Sequence, residues 1–387
     1  MRIKKAIGKI HLWLGLASGL IVFWLGISGC LIAFEREITR AVEQFRYVEN
    51  PGTKYLPPTV LKDSVDKYLN GKETIILEYL GPRDAALAYY YDDSVYYQVF
   101  INPYTGHVQK VKNMRKDFFR IITMGHYELW MGKPGRIIVS TATLIFLILM
   151  ITGVVLWWPR NKAAARQRFK FKWKPSTRWK RKNYDLHNVL GFYMTWVAIF
   201  LAITGLIMGF QWFARSVYFV SSGGQTMPPH EHPVSDSALA LSADRSQVVN
   251  TVWLELMQQK RSDNKVGIVF PQDETDALEG FVNHNLDSYY NVDFYHYDQY
   301  TGKELPAEGI WAGKFKDASL ADKIQRMNYD IHVGAILGFP GKLLVFFASL
   351  IAASLPVTGF YIWYGRRKKK ILSIAKQDFP QNYCVTP

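Results

Sequence analysis

Two cysteines stand in a chain of 387 residues, Cys30 and Cys384, and no CxxC pair occurs. The topology derived below keeps them apart, so neither a disulfide framework nor a thiolate metal site is expected. Neither a GxGxxG nor a P-loop motif is present, which argues against a nicotinamide or flavin site within the chain. Charge is the most telling absence. Asp, Glu, Lys and Arg are missing from Ile10 to Phe34, Ile137 to Pro159, Leu186 to Ala214 and Leu343 to Gly365. Each stretch suffices for a hydrocarbon layer that needs about 20 apolar residues. Average composition, 49% hydrophobic and 20% charged, conceals this because it matches soluble-protein values.

The formal charge of +15 sits beside these stretches. Arg2, Lys4, Lys5 and Lys9 precede the first, and Arg160 to Lys182 carries eleven basic residues and no acid. Arg366-Arg367-Lys368-Lys369-Lys370 follows the last. The positive-inside rule assigns all three clusters to the cytoplasm, with both termini inside, and explains the charge without a nucleic-acid partner. The nearly neutral Glu35–Lys133 and the acidic Phe213–Asp330 then lie outside. Ile27-Ser28-Gly29-Cys30 after a basic start imitates a lipoprotein signal, but the apolar run continues through Phe34, past the length of a signal core.

The expected architecture is a four-helix transmembrane bundle from two tandem repeats, with two periplasmic α+β domains. The first span covers 8–34, the first outer domain 35–134, the second span 135–159 and a basic cytoplasmic loop 160–184. The third span covers 185–212, the second outer domain 213–331, the fourth span with its lead-in 332–365, and a basic tail 366–387. Ungapped alignment of the halves puts His11 on His187, Gly15 on Gly191 and Ile27-Ser28-Gly29 on Ile203-Thr204-Gly205. It also puts Arg120 on Arg326, His126 on His332, Pro134-Gly135 on Pro340-Gly341 and Ile151-Thr152-Gly153 on Val357-Thr358-Gly359. Outside the spans, Tyr104-Thr105-Gly106 recurs as Tyr300-Thr301-Gly302. Helical spacing marks Thr59–Asn70 and Arg245–Lys260, and alternation marks strands at Val95–Ile101 and Tyr289–Tyr295. Pro134-Gly135 and Pro340-Gly341 are expected to separate the spans from outer helices that carry His126 and His332.

Of nine histidines, four fall at matched positions at span ends. Ionisable groups are rarely placed in spans without a task, and the topology lets His11 pair with His187 inside and His126 with His332 outside. Imidazole pairs without thiolate or carboxylate partners suit haem iron better than zinc, which wants four ligands. Gly15 and Gly191, one turn past their histidines, and Gly29 and Gly205, on the same helical face at the far end, are expected to clear room for a flat cofactor. Gly153 and Gly359 are expected to do so for the inner one. Arg120 and Arg326 are candidates for haem propionates. Trp24 and Trp196 are candidates to assist electron transfer, with interfacial anchoring or packing as the commoner role of such residues. His230-Glu231-His232 is a solvated loop with some metal-binding character, and His107, His284 and His296 are ordinary domain residues.

The His11 and Gly15 pair, Ile27-Ser28-Gly29, the spacing from His126 to Pro134-Gly135 and the Tyr-Thr-Gly turns together resemble the PepSY-associated transmembrane family of iron-regulated bacterial inner-membrane proteins. The resemblance covers nearly the whole chain, which within that family looks most like the di-haem ferric-siderophore (ferrioxamine-type) reductases. It implies reduction of periplasmic siderophore-bound Fe(III) with release of Fe(II), at two b-type haems. Related proteins with an appended flavin domain differ from this chain, which ends soon after the fourth span, so the donor is expected to be quinol or a separate reductase. Electrons would enter at the His11–His187 pair, cross to the His126–His332 pair and leave outside. Two other classes remain open at this level: a transporter, disfavoured because no span carries a central charge, and a peptide-binding or regulatory membrane protein.

Overall fold

In a bilayer an uncharged apolar segment must satisfy its backbone polar groups internally, which selects helix. The computed structural model describes residues 2–159, 161–229, 232–240 and 244–377. Among the described residues four helices are long and apolar enough to cross a membrane: Arg2–Ile32, Lys133–Trp157, Trp179–Gly209 and Ala335–Arg367. Cys384, Arg160, His230 and Glu231 lie outside the described residues. The chain divides into a membrane unit, Met1–Leu31, Gly125–Gly209 and Leu343–Pro387, and a sheet unit, Ile32–Met124 and Phe210–Lys342.

Small residues set the packing of the membrane unit. A Cβ on Gly26 would lie 2.6 Å from the Ser349 carbonyl oxygen and 2.8 Å from Ala353 Cβ, so the first and fourth spans cross there in near backbone contact. Gly209 meets Ser140 in the same manner between the second and third spans. Met150, Met194, Ala198, Ala202, Ala348 and Ala352 form the buried centre. The third span is not a uniform helix. It passes from Trp179–Asp185 through one π-helical turn, Leu186–Leu190, before Gly191–Gly209.

The histidine-bearing lead-ins are separate helices, but their breaks fall before the Pro-Gly pairs rather than at them. The helix Phe118–Glu128 ends at Leu129 and Trp130, both with positive φ, and Gly132 (φ 63°) opens the second span. Pro134 occupies the first turn of that span, where its missing N–H costs nothing. Likewise the helix Leu320–Val333 ends at Gly334 in the left-handed region, and Gly338 (φ 62°) precedes Pro340.

In the sheet unit the two outer segments do not build two sheets. Strands β1 (Ile76–Tyr79), β2 (Ala86–Tyr91), β3 (Tyr96–Ile101), β4 (Val108–Asn113), β5 (Lys265–Val269), β6 (Leu278–Asn283) and β7 (Val292–Tyr297) form one antiparallel sheet in the order β4-β3-β2-β1-β5-β6-β7. The seam is β1 against β5, from Ile76 opposite Val269 to Tyr79 opposite Val266. Each segment alone would leave an apolar strand with bare backbone groups, and mutual pairing removes both edges. Helices Pro58–Tyr68 and Arg245–Met257 cover one face, where Leu61, Val65, Trp253 and Leu256 pack on Leu77 and Ile268. Both Tyr-Thr-Gly segments are the same turn. Asn102 Oδ1 accepts from the Tyr104 and Thr105 amides, Asp298 Oδ1 from those of Tyr300 and Thr301, and Gly106 and Gly302 take positive φ.

Asp330 is fully buried and accepts from the Tyr289 amide at 2.9 Å. Burial outweighs that bond and pushes its carboxyl up to about 6. An acid whose folded pKa is raised favours the fold while protonated, so its contribution is present below the ordinary carboxylate range and lost as pH rises toward 6. Thermal unfolding of wild type and Asp330→Asn should therefore diverge between pH 4 and 6, wild type losing stability relative to the variant as pH rises. Parallel pH profiles would refute this. Gly26→Val should destabilise the membrane unit by about 1–3 kcal/mol through overpacking, visible as a lower unfolding temperature in detergent, whereas Gly71→Val, in open space but at positive φ, tests backbone strain alone.

Candidate functional site

A serine or threonine inside a helix usually turns its hydroxyl proton back onto the carbonyl one turn earlier, leaving the oxygen as an acceptor. Thr152 does so to Ile148 O at 2.8 Å, Thr358 to Ser354 O at 3.0 Å and Ser28 to Trp24 O at 2.7 Å. Each of these oxygens faces a histidine. His11 Nδ1 lies 2.9 Å from Thr152 Oγ1, His187 Nδ1 2.9 Å from Thr358 Oγ1, and His126 Nδ1 2.8 Å from Ser28 Oγ. With the hydroxyl protons already committed, the network assigns the hydrogen of each bond to Nδ1, and Nε2 keeps its lone pair. That is the tautomer a metal-ligating imidazole needs, fixed by a partner behind it. Thr204, at the matched place on the third span, donates to Phe200 O at 2.7 Å and so presents an equivalent acceptor.

Those hydroxyls belong to the repeated Ser/Thr-Gly pairs, and three of the glycines lie against a histidine ring. A Cβ on Gly153 would meet His11 Cε1 at 3.4 Å, one on Gly359 would meet His187 Cε1 at 3.2 Å, and one on Gly29 would meet His126 Cε1 at 3.6 Å. Only at Gly359 is that contact tighter than ordinary packing, and a Cβ on Gly29 would meet Ser349 Oγ first, at 3.3 Å. Gly15 and Gly191 are the ones that widen a space, since a Cβ there would find no atom nearer than Leu149 at 3.9 Å or Leu355 at 3.6 Å. Gly205 follows Thr204 on the third span.

Within the membrane unit, His11 and His187 line one cavity of about 400 Å³, together with Gly15, Gly153, Gly191 and Gly359. Its walls are mostly aliphatic and aromatic, and Arg366, counted in the sequence only toward topology, lines it as well. His187 sits in the π-helical turn, a departure from regular helix that is frequent at functional positions. Asn183 Nδ2 donates to Thr358 O at 3.0 Å, so the segment that holds His187 is itself pinned. Near His126, the Trp24 indole donates to Gly125 O at 2.8 Å and its ring lies 5.2 Å from Trp130. Trp24 therefore braces the histidine helix, while Trp196 is exposed.

His332 lies on the helix Leu320–Val333 of the sheet unit. The two matched arginines part company there. Arg326 is 1% exposed, and its guanidinium donates to the carbonyls of Ile310 (2.5 Å), Val292 (3.2 Å) and Ala312 (2.7 Å). It is a structural strut and is not available to a propionate, correcting the expectation from the alignment. Arg120 instead lines a second cavity, wholly within the sheet unit. His232 is exposed, with Nδ1 3.3 Å from Glu279 Oε1, and His296 Nε2 lies 3.7 Å from the same oxygen. Among the described residues no group of three or more His, Cys, Asp or Glu side chains is disposed to hold a metal ion directly. Two imidazoles lining one cavity would suit haem iron better than a bare metal ion.

Compared with models of known families, the chain matches the PepSY-associated TM region over residues 9–366. No curated protein matches it.

The tautomer assignment can be checked without any bound group. In ¹⁵N-histidine NMR spectra of the metal-free protein, His11 and His187 should report protonated Nδ1 and bare Nε2, and Thr152→Val or Thr358→Val should shift the corresponding ring toward a tautomer mixture. Protonated Nε2 in the wild type would overturn it.

Proposed function

We propose, from the premise that the chain belongs to the PepSY-associated TM family, that it is a haem-dependent membrane oxidoreductase that passes electrons across a bacterial inner membrane to a ferric siderophore and releases Fe(II). The single observation that carries this reading is the set of three histidines whose Nδ1 atoms are tied to spent hydroxyls, two of them on one cavity. The fit of haem b rests on the donor chemistry: two imidazoles whose Nδ1 atoms are engaged by hydroxyls, an aliphatic and aromatic lining, and Arg366 in the same wall. Held between such imidazoles, haem would supply a one-electron carrier suited to outer-sphere transfer.

His11 and His187 would bind the inner group, with Thr152 and Thr358 fixing ring orientation and Gly153 and Gly359 seating the rings. His126 and His332 would bind the outer group. For that pair the support is the matched sequence position and the Ser28 anchor behind His126. The doubled order of elements, the identical Asx-type turns at Gly106 and Gly302 and the recurring hydroxyl anchors support two tandem repeats. The basic clusters support cytoplasmic termini and a periplasmic sheet unit. Quinol or a separate reductase would supply the electrons.

An optical spectrum of the detergent-purified protein before and after dithionite, with pyridine haemochrome quantitation, should give two low-spin b-type haems per chain. His11→Ala or His187→Ala should remove one haem, and His126→Ala or His332→Ala the other. Thr152→Val should keep the ligand but lower haem affinity by about 10–100-fold. A colourless protein that takes up no added haem, or retention of both haems in all four alanine variants, would end this reading.

A further inference from the structure

Among the described residues no acidic side chain lines the cavity that His11 and His187 share in the membrane unit. Most of its polar groups are already committed. Ser18 donates to Leu14 O at 2.9 Å, Thr195 to Gly191 O at 2.7 Å and Asn188 to Tyr184 O at 2.7 Å, while the two histidines keep Nδ1 on Thr152 and Thr358. Arg366 is the only side chain in that lining with a permanent charge, and it pairs with no carboxylate among the described residues. Asp185, the acid closest in sequence to the lining residues, is already engaged by Arg181 at 2.9 Å and by the Trp173 indole at 3.1 Å.

Two contacts show which end of the cavity Arg366 occupies. A Cβ on Gly359 would stand 3.2 Å from His187 Cε1, and one on Gly365 would stand 3.7 Å from Lys180 Cε. The helix Trp179–Asp185 and the turn after it therefore run alongside the end of the fourth span, with Tyr184 between these contacts and Arg366 beside the second. Tyr184 lines the cavity too, and its hydroxyl has no hydrogen-bond partner among the described residues. Arg367 is not equivalent, since its guanidinium lies 5.5 Å over the Trp363 ring. In the sequence Arg160 stands three residues past Trp157 as Arg366 stands three past Trp363, but Arg160 lies outside the described residues. An apolar cavity with one fixed cation and a free phenol at the same end suits a flat apolar ligand that carries a carboxylate there.

We infer that Arg366 and Tyr184 hold the carboxylates of the inner haem and make this the end of the cavity that receives its propionates. The identity of the ligand rests on the haem reading, whereas the preference for a carboxylate rests on this wall alone.

Haem dimethyl ester isolates the contact, because esterification removes the carboxylate charges and leaves the ring and the iron as they were. Full-length apoprotein in detergent, carrying His126→Ala so that the inner pair is the one left intact, is titrated with Fe(III) protoporphyrin IX and with its dimethyl ester. Uptake is read from the low-spin Soret band. This chain should bind the free acid at least about tenfold more tightly than the ester. Arg366→Gln should weaken the free acid by about that factor and leave the ester unchanged, with partial recovery in Arg366→Lys. Tyr184→Phe should weaken the acid by a smaller factor and again spare the ester. The midpoint potential of the bound free-acid haem should fall in Arg366→Gln, because the lost cation favoured the reduced form. Equal affinity for acid and ester before substitution, or equal loss of both in Arg366→Gln, overturns the inference and leaves the haem reading standing. Uptake of neither ring by the His126→Ala chain overturns it as well, and if the wild type also takes up none, the haem reading falls with it.

Discussion

An imidazole in a membrane is tolerable only if something satisfies its N–H, and in this protein the partner is a hydroxyl on a neighbouring span. That hydrogen bond fixes three things together. It holds two helices in register, because His11 to Thr152 and His187 to Thr358 each tie one span to the next. It selects a tautomer, because the hydroxyl has no proton left to give. It also seats each ring against the glycine that follows the hydroxyl, 3.2–3.6 Å from where a Cβ would stand. The spans, the ring orientation and the glycine pattern are therefore consequences of one interaction used repeatedly.

Much of this was legible in the sequence, and the limits have physical causes. Charge-free stretches and flanking cations marked all four spans, because hydrocarbon imposes a length and composition that water does not. Strand Tyr96–Ile101 and the two covering helices were visible through their periodicity to within a few residues. The Ser/Thr-Gly pairs were visible as a repeat, but their purpose was not. A lone hydroxyl in a helix carries no mark of what lies across from it, and only the histidine on a different helix gives it meaning. The joining of two outer segments into one sheet was equally hidden, because alternation shows which face a strand buries and says nothing about which neighbour it takes. Arg326 is the instructive failure. Alignment paired it with Arg120, yet one is enclosed by carbonyls and the other lines a cavity, since matched positions conserve backbone path more faithfully than the surroundings of a long side chain.

The sheet unit assigns its charged residues two separate roles. Close pairs such as Lys265 with Glu78 hold the strands across the seam, where both members are mostly shielded from water. Arg36 instead pairs with the exposed Asp287 at 3.5 Å, and the Arg120 guanidinium lies over the Tyr96 ring.

The β1–β5 seam also bears on how the protein is made. β1 is complete early in synthesis, but its partner β5 is not yet translated, and at roughly 5–20 residues per second the intervening chain takes on the order of ten to forty seconds to appear. During that interval an apolar strand edge at Ile76–Tyr79 stands open, and two further spans must be inserted before it can close. The nascent protein is thus most vulnerable to wrong pairing midway through translation, and a folding helper would find its target at that edge.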